Sequence, residues 1–253
     1  MRSVYLDCFS GISGDMTLGA LLGLGADEQE FRSQLAGLGV GGYELTIARR
    51  KVEGLMSVDV DVLLTEVDTG HGRHLSDIHE IYAASSLPAR VIERATAIFE
   101  NLAEAEAKVH GTTKEEIHFH EVGAVDAIVD ITGTCILLEM LNVDAVYCSP
   151  LPYSRGFVDC QHGRMPLPAP ATLELMAGIA TYPVDVRGEL VTPTGCAIVA
   201  TLAGPANIGN QNLSPEISYS QELGLKINYK QLKTDVNIFS RQIENFIDWT
   251  KIN

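Results

Sequence analysis

Two histidines near the middle of the chain are spaced to ligate a metal ion. His118 and His120 alternate around Phe119, so both imidazoles point to the same side if this segment is extended. Imidazole nitrogen suits a borderline divalent metal such as Zn, Ni, Co or Mn. The alternative is that both histidines are ordinary half-buried residues.

Acidic residues follow the histidines closely and offer oxygen ligands. Glu121 comes next, and the apolar segment 122–141 predicts a helix. Asp126 and Asp130 are four residues apart and therefore lie on one face of that helix. Burying two aspartates in an apolar helix is costly without partners, which supports a metal or catalytic site. The alternative is that both aspartates cap or pair with nearby groups.

A Ser/Gly turn near the start of the chain has the composition of an anion site. It joins a short apolar strand, 4–6, to a predicted helix, so that free backbone amides point out of the turn. It lacks the lysine of a Walker loop. Asp7 and Asp15 could hold a metal that in turn binds the anion, whereas a simple turn with Ser13 or Asp15 as helix cap is the alternative. The anion-binding candidates in the turn are Ser10, Gly11, Ser13 and Gly14.

Two later loops repeat the arrangement of a loop followed by a helix. Residues 161–172 contain three prolines that stiffen the chain after His162. Residues 189–195 precede a second helix, whose free amides face Thr192 and Thr194. Three helix N-termini of this kind suggest a phosphorylated small molecule as ligand.

A second group of histidines lies in a glycine-containing loop, 68–74, and in the helix that follows it. His71, His74 and His79 would form a flexible metal-capture loop or simply a solvated surface loop. Ser76 is the predicted N-cap of the helix.

The overall composition limits the class of protein. The 253 residues include 18 Lys and Arg against 33 Asp and Glu, a net charge of −15, which argues against nucleic acid or an anionic membrane as partner. Five cysteines occur without a C-x-x-C pair, and we find neither a signal peptide nor an apolar segment of the ~18 residues that span a bilayer. We expect reduced thiols and a cytoplasmic protein. Cys8 is the thiol of interest because it lies in the Ser/Gly turn; a buried, inert cysteine is the alternative.

Strands and helices alternate through residue 203, which predicts an α/β fold, with α+β as the alternative. We expect helices around a small mixed sheet whose strand order the sequence leaves open. A change to an Asn-, Gln- and Lys-rich composition divides the chain into a domain, 1–203, and a divergent tail, 204–253. The predicted helices include 17–24, 28–38, 89–109, 122–141, 173–176 and 196–202.

Four motifs in this order resemble one family. They are DCFSGISGDM at 7–16, HFHEVG at 118–123 with Asp126, Ile128 and Asp130, HG at 162–163 before 166–172, and EL at 189–190 with TPTG at 192–195. Over residues 1–203 the chain resembles the N-terminal part of the LarC family, the nickel insertion proteins of lactate racemase cofactor synthesis.

The resemblance implies a nickel chelatase, a lyase-type enzyme. It would insert Ni²⁺ into pyridinium-3,5-bisthiocarboxylic acid mononucleotide to form the nickel-pincer nucleotide. On this hypothesis the nickel ligands are His118, His120 and Glu121, with Asp126 or Asp130 beside them. Asp7, Asp15 and Glu121 are the candidate catalytic residues. The phosphate of the substrate would bind Ser10, Gly11, Ser13 and Gly14, with His162 or Thr194 as further donors.

The family's reaction uses CTP with Mn²⁺ or Mg²⁺, and CTP binding is associated with a C-terminal domain that we do not find in this sequence. On this interpretation, activity requires that domain or a second chain as partner. We also expect a homo-oligomer. The alternatives are a metal-dependent phosphohydrolase, a nickel storage or delivery protein without turnover, and a structural half of a two-chain complex.

Overall fold

The structure, a computed structural model, describes residues 2–52, 54–65, 73–119, 124–160, 163–204, 217–229 and 232–244. The chain divides into two compact units, Met1–Ala206 and Asn207–Asn253. Helices and small sheets alternate along the first unit, which confirms the predicted α/β class.

The helices of the first unit form its core. Its described helices are α1 (Gly14–Gly23), α2 (Glu28–Ala36), α3 (Leu75–Ala84), α4 (Ala89–His110), α5 (Val125–Met140), α6 (Pro170–Leu175) and α7 (Pro193–Leu202). Helix α5 is buried along nearly its whole length, because its apolar residues leave little polar surface to face solvent. An added Cβ at Gly133 would lie 2.9 Å from Leu18 Cδ2 and 3.2 Å from Phe31 Cζ, so α5 packs closely against α1 and α2.

The strands of the first unit pair two by two. They are β1 (Ser3–Leu6), β2 (Tyr43–Val52), β3 (Leu55–Leu64), β4 (Arg73–His74), β5 (His118–Phe119), β6 (Ala145–Cys148), β7 (Leu151–Arg155), β8 (Phe157–Cys160), β9 (Gly163–Pro166) and β10 (Thr181–Arg187). The pairs β1–β6 and β7–β10 are parallel, whereas β2–β3, β4–β5 and β8–β9 are antiparallel. Among the described residues, the strands thus form separate two-stranded sheets rather than one continuous sheet.

Several helix boundaries differ from the sequence predictions, because side-chain caps begin or end the helices elsewhere. Helix α1 begins at Gly14 rather than Thr17, since the Ser13 hydroxyl caps it. The N-cap of α3 is His74 and not Ser76. Helix α7 begins at Pro193 rather than Cys196, because proline is well tolerated in a first helical turn.

The ends of α2 show one prediction confirmed and one corrected. Asp27 caps this helix as predicted, its Oδ1 accepting the Glu30 N–H at 2.8 Å. The helix ends at Ala36 with Gly37 as C-cap, before the predicted end at Leu38. In α5, the described helix begins at Val125, and the first residues of the predicted segment 122–141 lie outside the described part.

The second unit contains a long hairpin. Strands β11 (Ile217–Tyr229) and β12 (Leu232–Glu244) pair antiparallel, from Ile217 opposite Glu244 to Tyr229 opposite Leu232. Across the described residues of both units, the helices all fall short of the length and apolarity that crossing a bilayer requires.

Candidate functional site

The Ser/Gly turn starts where the parallel pair β1–β6 ends. Leu6 pairs with Cys148, so Asp7 and Ser149 both follow at the carboxyl edge of the sheet. The Cys8 N–H donates to Ser149 Oγ at 2.8 Å. Gly11 then has a φ of 101°, a left-handed conformation that favours glycine. This edge of an α/β unit is where ligands commonly bind.

The turn is joined to the 189–195 motif through the backbone. The Ile12 N–H donates to the Leu190 carbonyl at 2.9 Å, and the Thr192 N–H donates to the Ile12 carbonyl at 3.1 Å. An added Cβ at Gly11 would overlap the Leu190 carbonyl, so no larger residue fits there. The Ser/Gly turn and the 189–195 loop, both candidates from the sequence, are therefore hydrogen-bonded to each other.

The N-termini of α1 and α7 lie side by side at this junction. Ser13 Oγ accepts the Met16 N–H at 3.4 Å, and Thr192 Oγ1 accepts the Gly195 N–H at 3.1 Å. An added Cβ at Gly195 would lie 2.8 Å from Ser13 Cα, so the first turn of α7 packs directly on the turn before α1. Two positive helix ends at one place favour an anionic ligand or a group of acidic side chains.

An acidic side chain from α5 completes the junction. The Asp130 carboxylate packs against Gly14, the first residue of α1, where an added Cβ would overlap it. Its Oδ1 is buried and has no hydrogen-bond partner among the described residues. Burial, and then the charges of Asp15 and Asp126, raise the pKa of Asp130 to about 8.

We call Asp15, Asp126 and Asp130 the acidic group. Asp15 accepts a hydrogen bond from the Ser13 hydroxyl, and Asp126 lies exposed in the first turn of α5, one turn before Asp130. Mutual repulsion makes the ionised state of Asp130 costly when nothing offsets it. A bound divalent cation would offset that repulsion, and the buried, unpaired oxygen of Asp130 is a suitable hard ligand for it.

His118, the first of the predicted metal ligands, lies on the strand pair β4–β5 and not on the pair β1–β6 that leads into the Ser/Gly turn. His118 is exposed in β5, between the buried residues Ile117 and Phe119. It pairs with His74 of β4, and the two imidazole rings are 3.8 Å apart between centroids. His79 of the second histidine group faces Glu100, with 3.7 Å between Nε2 and Oε1.

The remaining predicted site residues are placed as follows. Asp7 lies at the opposite end of the turn from Asp15, where burial first and the charge of Asp7 second raise the pKa of Tyr5. Ser10 is exposed in the turn, and Thr194 belongs to the first turn of α7 instead of the preceding loop. Within the described part of the chain, no three His, Cys, Asp or Glu side chains form a ready metal site. The predictions for His71, His120, Glu121 and His162 concern residues outside that part.

Cys8 has the environment of an inert thiol. It is 3% exposed, and its Sγ lies 3.6 Å from the Leu6 carbonyl. Burial, and then the charge of Cys148, raise the pKa of Cys8 to about 12. Its thiol is therefore protonated at neutral pH, which does not fit a nucleophile or a thiolate ligand.

Sequence reasoning missed three close approaches, two at the junction and one between the histidine groups. Gly14 and Gly195 are the points of closest approach to Asp130 and to the turn, and only their positions in the first turns of helices hinted at that. The pairing of His74 with His118 joins two histidine groups that are separate in the sequence. A two-residue strand such as β4 leaves no periodic signal.

The chain is similar to a known family over most of its length. The model of the family described as "Nickel insertion protein" matches residues 4–221. A protein of Citrifermentans bemidjiense is 55% identical over 205 residues, which cover 80% of this chain and 52% of that relative. No solved structure matches the chain.

Two further relatives have more specific names. A Desulfitobacterium hafniense protein named "Pyridinium-3,5-bisthiocarboxylic acid mononucleotide nickel insertion protein" is 52% identical over 200 residues, covering 79% of this chain and 49% of the relative. An Acetivibrio thermocellus protein of the same name is 45% identical over 212 residues, covering 80% and 52%. The chain spans about half the length of the curated relatives it matches.

Proposed function

Because the chain belongs to the nickel insertion protein family, we propose that it takes part in inserting nickel into pyridinium-3,5-bisthiocarboxylic acid mononucleotide. Two relatives are named for that insertion. The product would be the nickel-pincer nucleotide, the cofactor of lactate racemase. The chain would thus work as a nickel chelatase, with nickel as one of its substrates.

The observation that carries this proposal is the junction of the acidic group with two helix N-termini. Asp130 has a buried oxygen without a hydrogen-bond partner among the described residues. Burial, and then the charges of Asp15 and Asp126, raise its pKa to about 8. Binding of a divalent cation would displace the proton from Asp130 and turn the repulsion into ligation. Asp130 of the acidic group is therefore our candidate oxygen ligand for the metal ion.

The substrate's phosphate would bind at the amide ends of α1 and α7. Their first turns meet at Ser13 and Gly195, where helix dipoles and hydroxyl groups favour an anion. Phosphate and the acidic group repel each other unless a cation lies between them. Metal and mononucleotide would therefore bind more tightly together than separately. The proposed phosphate donors are Ser10, Gly11, Ser13, Gly14 and Thr194.

The transfer itself would follow from ligand preference. Nickel held by nitrogen and oxygen ligands moves to the two thiocarboxylate sulfurs of the substrate, which are softer donors. No electron is transferred, since the metal stays divalent. His118, with His120 and Glu121, is the proposed nitrogen-containing part of the donor site.

The CTP-dependent step would require a domain or chain in addition to the one described. We propose that CTP and its Mn²⁺ or Mg²⁺ ion bind a further domain or a partner chain, since the motifs of this chain account for nickel and a monophosphate only. An activity assay of this chain therefore has to include the CTP-binding domain or chain.

The direct test measures nickel transfer. The metal-free chain is mixed with Ni²⁺, the precursor, CTP and Mg²⁺, together with the C-terminal half of the Desulfitobacterium hafniense relative, and the product is detected by mass spectrometry. D130N should lower the rate of product formation at least tenfold, because it removes the negative charge of the carboxylate and replaces one of its two oxygens by an amide nitrogen that cannot ligate a metal ion. D185N, at an exposed carboxylate of β10, is the matched control. Equal rates for D130N and D185N would contradict the role of the acidic group.

A metal-dependent phosphohydrolase is the second candidate. The same juxtaposition of carboxylates with two helix N-termini favours it, because a metal held there could activate water against a bound phosphate. Release of inorganic phosphate from p-nitrophenyl phosphate, lost in D130N, would support this candidate. Nickel loading without any transfer would instead indicate a storage or delivery protein.

A further inference from the structure

The pairing of His74 with His118 brings together two histidine groups that lie 44 residues apart in the sequence. His74 ends β4 and is the N-cap of α3, whereas His118 begins β5. The two residues are directly opposite in the antiparallel pair, so their side chains lie on the same face. Their ring centroids are 3.8 Å apart with an angle of 47° between the ring planes.

The orientation of the His74 ring is fixed by a backbone contact. Its Nδ1 lies 3.1 Å from the Ile117 carbonyl oxygen, which can only accept a hydrogen bond. With Nδ1 donating to this carbonyl, the neutral ring keeps a lone pair on Nε2. Histidines that bind metals commonly have this arrangement, with one ring nitrogen donating to a backbone carbonyl and the other facing the metal.

The backbone below the pair is held in place from both sides. Ile117 is 4% exposed and Phe119 is 1% exposed, so the residues that flank His118 are anchored in the core. Asp77 Oδ2 accepts the His74 backbone N–H at 2.8 Å, a capping contact that fixes the first turn of α3 around His74. Two imidazoles on fixed backbones cost little side-chain entropy to organise around a metal ion.

We propose that His74 is a nickel ligand and that it acts together with His118 as the nitrogen-donor pair of this protein. The inference rests on the proposed function and deepens it, because it names a ligand that the HFHE motif does not contain. Two imidazoles occupy only part of a nickel ion's coordination sphere. The open positions suit a donor site that must release its ion to incoming sulfur ligands.

The test separates ligation by Nε2 from the structural hydrogen bond made by Nδ1. In H74N the amide can still donate to the Ile117 carbonyl, whereas no nitrogen remains at the position of Nε2. The metal-free full chain is titrated calorimetrically with NiCl₂ for wild type, H74A, H74N, H118A and the double variant H74N/H118A. H79A is the matched control, since His79 lies on the same helix but faces Glu100.

Both H74A and H74N should weaken nickel binding at least tenfold, while H79A stays within twofold of wild type. The double variant should bind little worse than either single variant, because the two rings serve one ion. Wild-type affinity in H74N overturns the proposal, and so does binding that is lost in H74A and restored in H74N. If H118A loses nickel and H74N does not, only this inference fails. If neither loses it, or if the wild type binds no nickel, the proposed nitrogen-donor site fails as well.

A second measurement keeps the proposal testable should the variants unfold. Wild-type protein is treated with diethyl pyrocarbonate with and without NiCl₂, and modified histidines are located by peptide mass spectrometry. Nickel should protect His74 and His118 but not His79. Equal modification of His74 in both samples overturns the proposal.

Discussion

At the scale of single residues, Asp130 has the most unusual environment in the candidate site. Its carboxylate lies against the start of α1, and its Oδ1 is buried without a hydrogen-bond partner among the described residues. A carboxyl group in such a place is retained at a cost in stability. That cost is what a bound cation would remove.

We expect the stability of the metal-free protein to fall with pH because of Asp130. Burial, and then the charges of Asp15 and Asp126, raise its pKa from 3.8 to about 8. The folded state therefore binds a proton that the unfolded state releases above pH 4. This contribution to the free energy of unfolding is fully present below about pH 4 and is lost as the pH rises through 8. Its upper limit is about 1.4 kcal/mol for each unit by which the pKa of Asp130 is raised.

Chemical denaturation of D130N between pH 4 and 9 measures this contribution. The variant should lose most of the pH slope and should be more stable than wild type at pH 8 by an amount on the order of a few kcal/mol. D185N should keep the wild-type slope, since Asp185 is exposed. Parallel pH curves for wild type and D130N would contradict the raised pKa.

The thiol of Cys8 should react slowly in the native protein. Its pKa is raised from 9.0 to about 12, first by burial, which lowers the thiolate fraction by about a thousandfold. Iodoacetamide at pH 7.5 should therefore label Cys8 at least a hundredfold more slowly in native protein than in guanidinium chloride, as measured by peptide mass spectrometry. Fast labelling of Cys8 in the native protein would contradict the raised pKa and support a chemical role for this thiol.

At the scale of elements, the N-terminal turns of α1 and α7 determine the shape of the candidate site. Gly14 lets Asp130 approach α1, and Gly195 lets α7 approach the Ser/Gly turn. The Ser13 hydroxyl accepts a backbone N–H in the first turn of α1, and the Thr192 hydroxyl accepts one in the first turn of α7. These two caps fix where the helices begin. Small changes in either turn should therefore affect stability and ligand binding together.

The glycines at the two ends of α1 should respond oppositely to alanine. G14A places a Cβ in the Asp130 carboxylate and should cost about 1–3 kcal/mol of unfolding free energy. At Gly23 the nearest atom to an added Cβ is Val58 Cγ2 at 3.8 Å, so G23A should be neutral or stabilise by up to about 1 kcal/mol. The double variant G14A/D130A should recover stability relative to G14A in urea denaturation. Equal effects of G14A and G23A would argue against the close approach of Asp130.

Substitutions of the two threonines at the start of α7 should have different effects on stability and on ligand binding. T192A removes the acceptor of the Gly195 N–H and should destabilise the protein by about 1 kcal/mol. T194A removes a hydroxyl that makes no capping bond to α7, so its unfolding free energy should stay within about 0.5 kcal/mol of wild type. Under the proposed function, T194A should nevertheless weaken binding of the mononucleotide, measured by calorimetry. A larger loss of stability in T194A than in T192A would contradict this assignment of the cap.

At the scale of the whole molecule, the chain consists of two compact units with a net charge of −15. The candidate site and the histidine pair both belong to the first unit. An acidic protein attracts divalent cations and repels anionic ligands such as the proposed mononucleotide. This charge agrees with the proposal that metal and mononucleotide bind more tightly together than separately, because the metal ion reduces the repulsion of the phosphate.

We expect residues 1–206 to retain folding and nickel binding without the second unit. The described contacts that build the junction all lie within the first unit. A chain ending at residue 206 should unfold cooperatively, with a midpoint within a few degrees of the full chain, and should bind nickel with the same stoichiometry. Loss of nickel binding in a chain that still folds would assign part of the metal site to residues 207–253.

Much of the local structure was predictable from the sequence. The helices α4 and α5, the cap at Asp27 and the α/β class were predicted and confirmed. These features depend on backbone preferences and on contacts within one or two helical turns. Helix starts were less accurate, because a cap such as Thr192 is recognised only once the preceding chain direction is known.

The sequence by itself determined which residues could do chemistry: the Ser/Gly turn, the 189–195 loop, the spacing of Asp126 and Asp130, and the presence of His118. Only the tertiary structure decided which of them meet. It places the turn against Leu190, Asp130 against Gly14, and His118 against His74. The physical reason is that such long-range contacts arise from burial and close packing summed over the whole core, to which spacing along the chain contributes almost no information.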